Sequence, residues 1–76
     1  MTLKIVAREL TWVSLSIDGG KPREWQLRPG QTITLNGQSG FSGKIGNAGG
    51  TRLYFNNKDM GELGPPGKII DIVLPR

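Results

Sequence analysis

Apolar and polar residues alternate along several short stretches of the chain, with the period of two that half-buried β-strands show. The alternation is clearest over residues 3–8 and 13–18, where every second side chain is apolar. Further short apolar runs follow at residues 24–27, 32–35, 41–45, 52–56 and 68–74. No window shows the sustained period of 3.6 residues that marks an amphipathic helix. The pattern predicts an all-β domain of about seven strands, built as a small Greek-key-like β-sandwich or a partly open barrel.

Glycine and proline separate these runs. Residues 18–20, Asp-Gly-Gly, are typical of a hairpin turn with positive φ, and the Pro-Gly pair at residues 29–30 indicates a second reversal. Residues 36–40 predict a loop, and residues 57–59 predict a turn. The Gly-Pro-Pro-Gly sequence at residues 64–67 interrupts any strand. These breaks set the order of strands along the chain.

The predicted core comes from the apolar residues on one face of each strand. Its members are Leu3, Ile5, Val13, Leu15, Ile17, Leu27, Ile33, Leu35, Ile45, Leu53, Phe55, Ile70, Ile72 and Leu74. Trp12 falls out of phase with its neighbours, so it either covers the opposite face of its strand or marks a bulge near Leu10 and Thr11. We favour the opposite face.

The last predicted strand carries apolar residues in both phases. Ile70, Ile72 and Leu74 lie on one face. Ile69 and Val73 fall on the other face. We therefore expect this strand to be covered on both sides.

The most distinctive segment is residues 44–50, Lys-Ile-Gly-Asn-Ala-Gly-Gly, which crowds small residues between two strands. Such a run implies positive φ or close backbone approach. It lacks the Gly-Lys-Ser/Thr and the Gly-x-Gly-x-x-Gly patterns, each leading into a helix, of phosphate and dinucleotide loops. A tight strand-to-strand connection, in which Asn47 bonds to nearby backbone, is therefore favoured over a ligand-binding loop.

Composition narrows the chemistry. A chain of 76 residues with 36% hydrophobic and 21% charged residues is a single small domain with a thin core. It contains neither cysteine nor histidine, which excludes disulfides, thiolate metal sites and Ser-His or Cys-His nucleophiles within it. We expect no catalytic residue, no metal and no cofactor.

The net charge is +4, but its cations are spread from Lys4 to Arg76 without a run. A balance of this size mainly keeps a small domain soluble. No stretch approaches the roughly 20 apolar residues of a membrane helix. We expect the chain itself to be soluble.

Two rival functions follow from the aromatic residues. A small basic barrel could bind single-stranded nucleic acid, by stacking bases beside cations, or carbohydrate, on a flat aromatic row. The aromatic residues are Trp12, Trp25, Phe41, Tyr54 and Phe55. Interspersed acids dilute the basic field, and a thin core needs most large aromatics for packing. No two of five carboxylates are recognisable as an acid–base pair for sugar hydrolysis; these are Asp18, Glu24, Asp59, Glu62 and Asp71.

In order and spacing, several blocks resemble the RodZ C-terminal domain family over about residues 9–75. The blocks are a Trp strand ending in Asp-Gly, a Leu-x-x-Gly-Gln turn, Ile-Gly-Asn-Ala and a last apolar strand. The matching residues are Trp12, Asp18, Gly19, Leu27, Gly30, Gln31, Ile45, Gly46, Asn47 and Ala48.

The resemblance implies a single domain, residues 1–76, taken from a longer bitopic membrane protein that supports bacterial cell shape with the wall-elongation machinery. Such a domain would lie on the extracytoplasmic, periplasmic side. It would contact protein partners or the wall polymer, with weak self-association as a further expectation and nucleic acid disfavoured. For the contact surface we select Trp25, Asn47, Arg52 and Tyr54.

Overall fold

A computed structural model describes residues 1–75. Eight β-strands and one turn of 3-10 helix, Ala48–Gly50, make up its regular structure. The strands are β1 Thr2–Ala7, β2 Thr11–Ile17, β3 Arg23–Leu27, β4 Thr32–Asn36, β5 Phe41–Ile45, β6 Thr51–Phe55, β7 Lys58–Asp59 and β8 Ile70–Leu74. Within this part of the chain, no helix is long and apolar enough to cross a membrane.

The strands form two antiparallel four-stranded sheets that pack face to face. Sheet A has the order β4-β1-β6-β7, and sheet B has the order β3-β2-β5-β8. Hairpins join β2 to β3 and β6 to β7, whereas the other connections cross from one sheet to the other. The predicted all-β sandwich is confirmed, and the sheets do not close into a barrel.

The core lies between the two sheets. Its buried apolar residues are Leu3, Ile5, Ala7, Val13, Leu15, Leu27, Leu35, Phe41, Ile45, Leu53, Ile72 and Leu74. Ile17, Ile33, Phe55 and Ile70, which we predicted as core, are only partly buried against it. Phe41 joins the core although the prediction omitted it, and its ring meets that of Phe55 edge to face at 6.4 Å between centroids.

Trp12 covers the outer face of β2, as favoured. The antiparallel register runs through Thr11↔Leu27 and Trp12↔Gln26 without a bulge. Thr11 is buried, and Trp12 is 42% exposed. Alternation therefore continues unbroken from Thr11 into the rest of the strand.

Two predictions at the C-terminal half are wrong. The turn lies at Asn56 and Asn57, both with positive φ, so that Lys58–Asp59 pair with β6 as a short strand instead of forming the turn. The outer side of β8 is uncovered, because Ile69 is 55% and Val73 63% exposed. Among residues 1–75 nothing packs over that side, since sheet A lies against the opposite side of sheet B.

Candidate functional site

Asn47 is the centre of a polar corner between β5 and β6. Its Oδ1 accepts hydrogen bonds from the backbone N–H groups of Gly50, at 3.2 Å, and Gly67, at 2.7 Å. Its Nδ2 donates to the carbonyl of Leu10 at 3.0 Å. One side chain thus holds three separate segments together. We call residues 46–51, with these contacts, the Asn47 corner.

Two buried threonines continue this network beneath Asn47. The Asn47 N–H donates to Thr11 Oγ1 at 3.1 Å. Thr51 Oγ1 lies 3.0 Å from Thr11 Oγ1 and 2.7 Å from the Asn47 carbonyl, within donating distance of both. The hydroxyl groups therefore satisfy backbone groups that the sandwich removes from water.

The glycines of the corner are required by close approach. A Cβ on Gly46 would overlap the indole ring of Trp12, which lies across it. A Cβ on Gly49 would overlap the backbone of Pro66. The Gly49 N–H also donates to the Pro65 carbonyl at 3.2 Å. The segment is therefore a packed connection between the sheets, and the predicted bonding of Asn47 to backbone is confirmed.

Arg52 and Tyr54 lie together on the outer face of sheet A, because they alternate along β6 with the buried Leu53. Lys4 of β1 stands directly opposite Tyr54, with its Nζ 5.5 Å from the ring centroid. Arg52 Nη2 donates to Asp59 Oδ2 at 2.9 Å. Within residues 1–75, the other N–H groups of the Arg52 guanidinium make no hydrogen bond.

Arg8 extends this cationic surface beyond the end of β1. A cleft of about 600 Å³ lies between Arg8, Arg52 and the loop of residues 62–66. Glu62 stands in that loop and is exposed. Arg8 has no ion pair within the described part of the chain. We call Lys4, Arg8, Arg52 and Tyr54 the basic face.

Trp25 lies elsewhere. It pairs with the buried Val13, so that it points to the inner side of β3 and packs against the core edge. Its outer part is covered by Arg23, whose Cζ is 5.3 Å from the ring centroid. Trp25 points to the inner side of sheet B, whereas Tyr54 lies on the outer face of sheet A. The two rings therefore do not form the flat aromatic row on which sugars stack.

Of the four residues predicted for the surface, the structure therefore brings only Arg52 and Tyr54 together. Asn47 lies in the corner, where its amide is engaged internally. The prediction missed Lys4 and Arg8. Lys4 and Arg8 alternate with buried residues of β1, which indicates that both point outward. The sequence of either strand alone does not show that β1 pairs with β6.

A second backbone-binding side chain, Asp18, was also missed. Its carboxylate accepts hydrogen bonds from the N–H groups of Gln38, Ser39 and Gly40 at 2.5–3.0 Å. These three hydrogen bonds lower the pKa of Asp18 below its ordinary value of 3.8. The sequence shows Asp18 only as part of an Asp-Gly turn, because its partners lie about twenty residues away.

Comparison with known proteins gives one finding. The family model of the RodZ C-terminal domain matches residues 4–73, which is nearly the whole chain. No curated protein and no solved structure is significantly similar to it.

Proposed function

Because the chain belongs to the RodZ C-terminal domain family, we propose that it is a non-catalytic interaction domain of a RodZ-like protein that supports bacterial cell shape and wall elongation. Its place is the extracytoplasmic side of a bitopic inner-membrane protein. The family supports this context. The contact surface of the domain is proposed from the arrangement of side chains on sheet A.

The basic face is the observation that carries the proposal. On this surface Lys4, Arg8 and Arg52 stand near two carboxylates, Asp59, which pairs with Arg52, and Glu62 in the neighbouring loop. Tyr54 lies among these cations and supplies a rigid, partly apolar contact. Aromatic and arginine side chains are the residues that contribute most to binding at protein surfaces.

The charge of this face selects its partner. Arg52 uses one of its N–H groups for Asp59, and guanidinium donors match the geometry of carboxylates. We therefore propose an anionic partner, either an acidic surface of an elongation protein or the carboxylate-bearing wall polymer. Asn47 and Trp25 lie outside this contact because their side chains are engaged in the fold.

Two binding assays separate the partners. The purified domain is sedimented with isolated cell-wall sacculi at low and moderate salt, and it is titrated with the purified elongation proteins. We expect binding to one of the two, weakened by salt and lost in an Arg52→Ala/Tyr54→Ala variant. The matched control is Lys21→Ala, which removes an exposed cation from the connection between β2 and β3 of the opposite sheet.

Retained binding by the Arg52→Ala/Tyr54→Ala variant would remove the basic face from the account. Tight binding of a single-stranded oligonucleotide that falls steeply with salt would instead favour the nucleic-acid alternative. A reporter that is active only outside the cytoplasm, fused after the domain in the parent protein, tests the location. An inactive reporter in a stable fusion would contradict it.

A further inference from the structure

The outer face of sheet B differs from the rest of the surface because it carries large apolar side chains. Trp12, Ile69 and Val73 are 42%, 55% and 63% exposed. Val73 stands opposite Ser42 in the register of β5 and β8, and Trp12 lies across Gly46, next to the end of β5. We call this surface, with Lys44 and Asp71, the β8 face.

β8 carries apolar side chains on both sides, whereas residues 1–75 cover only one of these sides. Ile72 and Leu74 are buried against sheet A. Ile69 and Val73 lie on the opposite side with nothing over them among residues 1–75. β8 is also an edge strand of sheet B. Exposed apolar side chains that cluster on one sheet face are typical of an interaction site.

We propose that the β8 face packs against the β8 face of a second copy of this chain, so that the domain forms a weak two-fold dimer.

Charge complementarity favours a second copy as the occupant. The β8 face carries both signs, since Lys44 Nζ lies 3.5 Å from Asp71 Oδ1 and both side chains are well exposed. A two-fold axis between two such faces can place Lys44 of each copy near Asp71 of the other, as a self-complementary contact requires. The basic face would instead set like charges against each other.

The area of the β8 face limits the affinity of the proposed dimer. The molecule measures 29 × 24 × 20 Å, so one broad face offers on the order of 700 Å². A standard interface buries about 800 Å² on each partner. Ser14, Ser16 and Ser42 are the small residues between the apolar ones, which keeps the face flat but reduces its apolar content. The dimer is therefore expected to form at high micromolar concentration.

Sedimentation equilibrium over a wide range of protein concentration tests the proposal. The wild-type chain should approach twice its monomer mass as concentration rises. Val73→Lys should weaken this association on the order of tenfold or more, because the new cation lies in the contact. Thr34→Lys, an exposed strand position on the outer face of sheet A, is the matched control and should leave the association unchanged.

Nuclear magnetic resonance locates the contact. The indole N–H signal of Trp12 should shift with concentration, and that of Trp25 should not, because Trp25 points to the inner side of sheet B. If Val73→Lys fails to fold, Ile69→Lys, which lies outside β8, takes its place.

A monomer at every concentration would overturn the proposal and assign the β8 face to a partner other than a second copy. Association that Val73→Lys leaves intact, or that Thr34→Lys disrupts, would also overturn it. Loss of association in the β8-face variants alone, with the Trp12 shift, would support it. None of these outcomes depends on whether the basic face binds its anionic partner.

Discussion

The Asn47 corner and the basic face are neighbours along the chain, yet they use their polar groups in opposite ways. In the corner, both polar atoms of the Asn47 amide bond to backbone of the same molecule. On the face, Arg52 has one internal hydrogen bond and Arg8 has no ion pair within residues 1–75. The recognisable motif therefore specifies architecture, whereas the residues of the basic face leave charge exposed on the surface where we propose that a partner binds.

Replacing Asn47 should have the largest effect on stability. Asn47→Ala removes three hydrogen bonds that tie Leu10, Gly50 and Gly67 together. We expect a loss of about 2–3 kcal/mol in the free energy of unfolding, because backbone groups at the corner lose their partner. Urea denaturation followed by fluorescence measures it.

Asn36→Ala is the matched control for this change. Asn36 lies exposed on β4, and its side chain accepts one hydrogen bond from Thr2 Oγ1 at 3.1 Å. Its removal should change the free energy of unfolding by about 0.5 kcal/mol or less. Equal losses for the two variants would show that the corner has no special structural role.

Gly46→Ala should have the next largest effect. The added Cβ overlaps the Trp12 ring. Because this ring is partly exposed, it can move aside, but it then loses its packing against residue 46. We expect a loss of about 1 kcal/mol that shrinks when Trp12 is replaced by Ala, since the two sites are in direct contact. A double-mutant cycle by urea denaturation checks this. Additive losses would contradict the proposed contact.

Asp18→Asn tests a charged side chain that, like Asn47, accepts hydrogen bonds from backbone N–H groups. The pKa of Asp18 is lowered in the folded chain by hydrogen bonds from Gln38, Gly40 and Ser39. Its ionised form therefore stabilises the fold above the ordinary pKa of 3.8, and this contribution is lost as pH falls through the lower folded value. The wild-type advantage over Asp18→Asn should be constant at neutral pH and vanish in acid.

Thermal melts of both proteins between neutral pH and pH 2 test this prediction. Asn keeps an acceptor oxygen and tolerates the positive φ of position 18, which is 54°. The variant should therefore fold normally. A stability difference between the two proteins that does not depend on pH would mean that the charge of Asp18 is not what holds the loop.

Replacing residues of the basic face should have the smallest effect on stability. Arg52→Ala removes a partly exposed ion pair with Asp59 and should cost less than about 1 kcal/mol. Lys44→Ala, which removes the other exposed ion pair of the described chain, is the control. A loss as large as that of Asn47→Ala would place Arg52 in the architecture instead of the contact surface.

Local patterns were sufficient to predict most of the fold. Alternation over residues 3–8 placed Leu3 and Ile5 in the core, and the glycines of residues 44–50 indicated a tight connection. The prediction missed the short strand β7. Asn56 and Asn57, both with positive φ, form the turn before it, whereas Asn-Gly is the usual sequence signal for such a turn.

The surfaces were harder to predict because they depend on contacts between distant strands. Lys4 and Tyr54 meet only because β1 pairs with β6. Asp18 bonds to a loop about twenty residues away. Trp25 was selected as a contact residue, whereas its register with Val13 turns it inward. Pairing between distant segments is the information that a local pattern does not contain.

The most direct test of the division between corner and face is complementation of cell shape. The parent protein carrying Arg52→Ala/Tyr54→Ala is expressed in a bacterium that lacks its own RodZ-like protein, and cell width is measured. The purified variant domain should remain as stable as the Lys44→Ala control, while the cells should fail to regain wild-type width. Full recovery of cell width by a stably expressed variant would contradict the account.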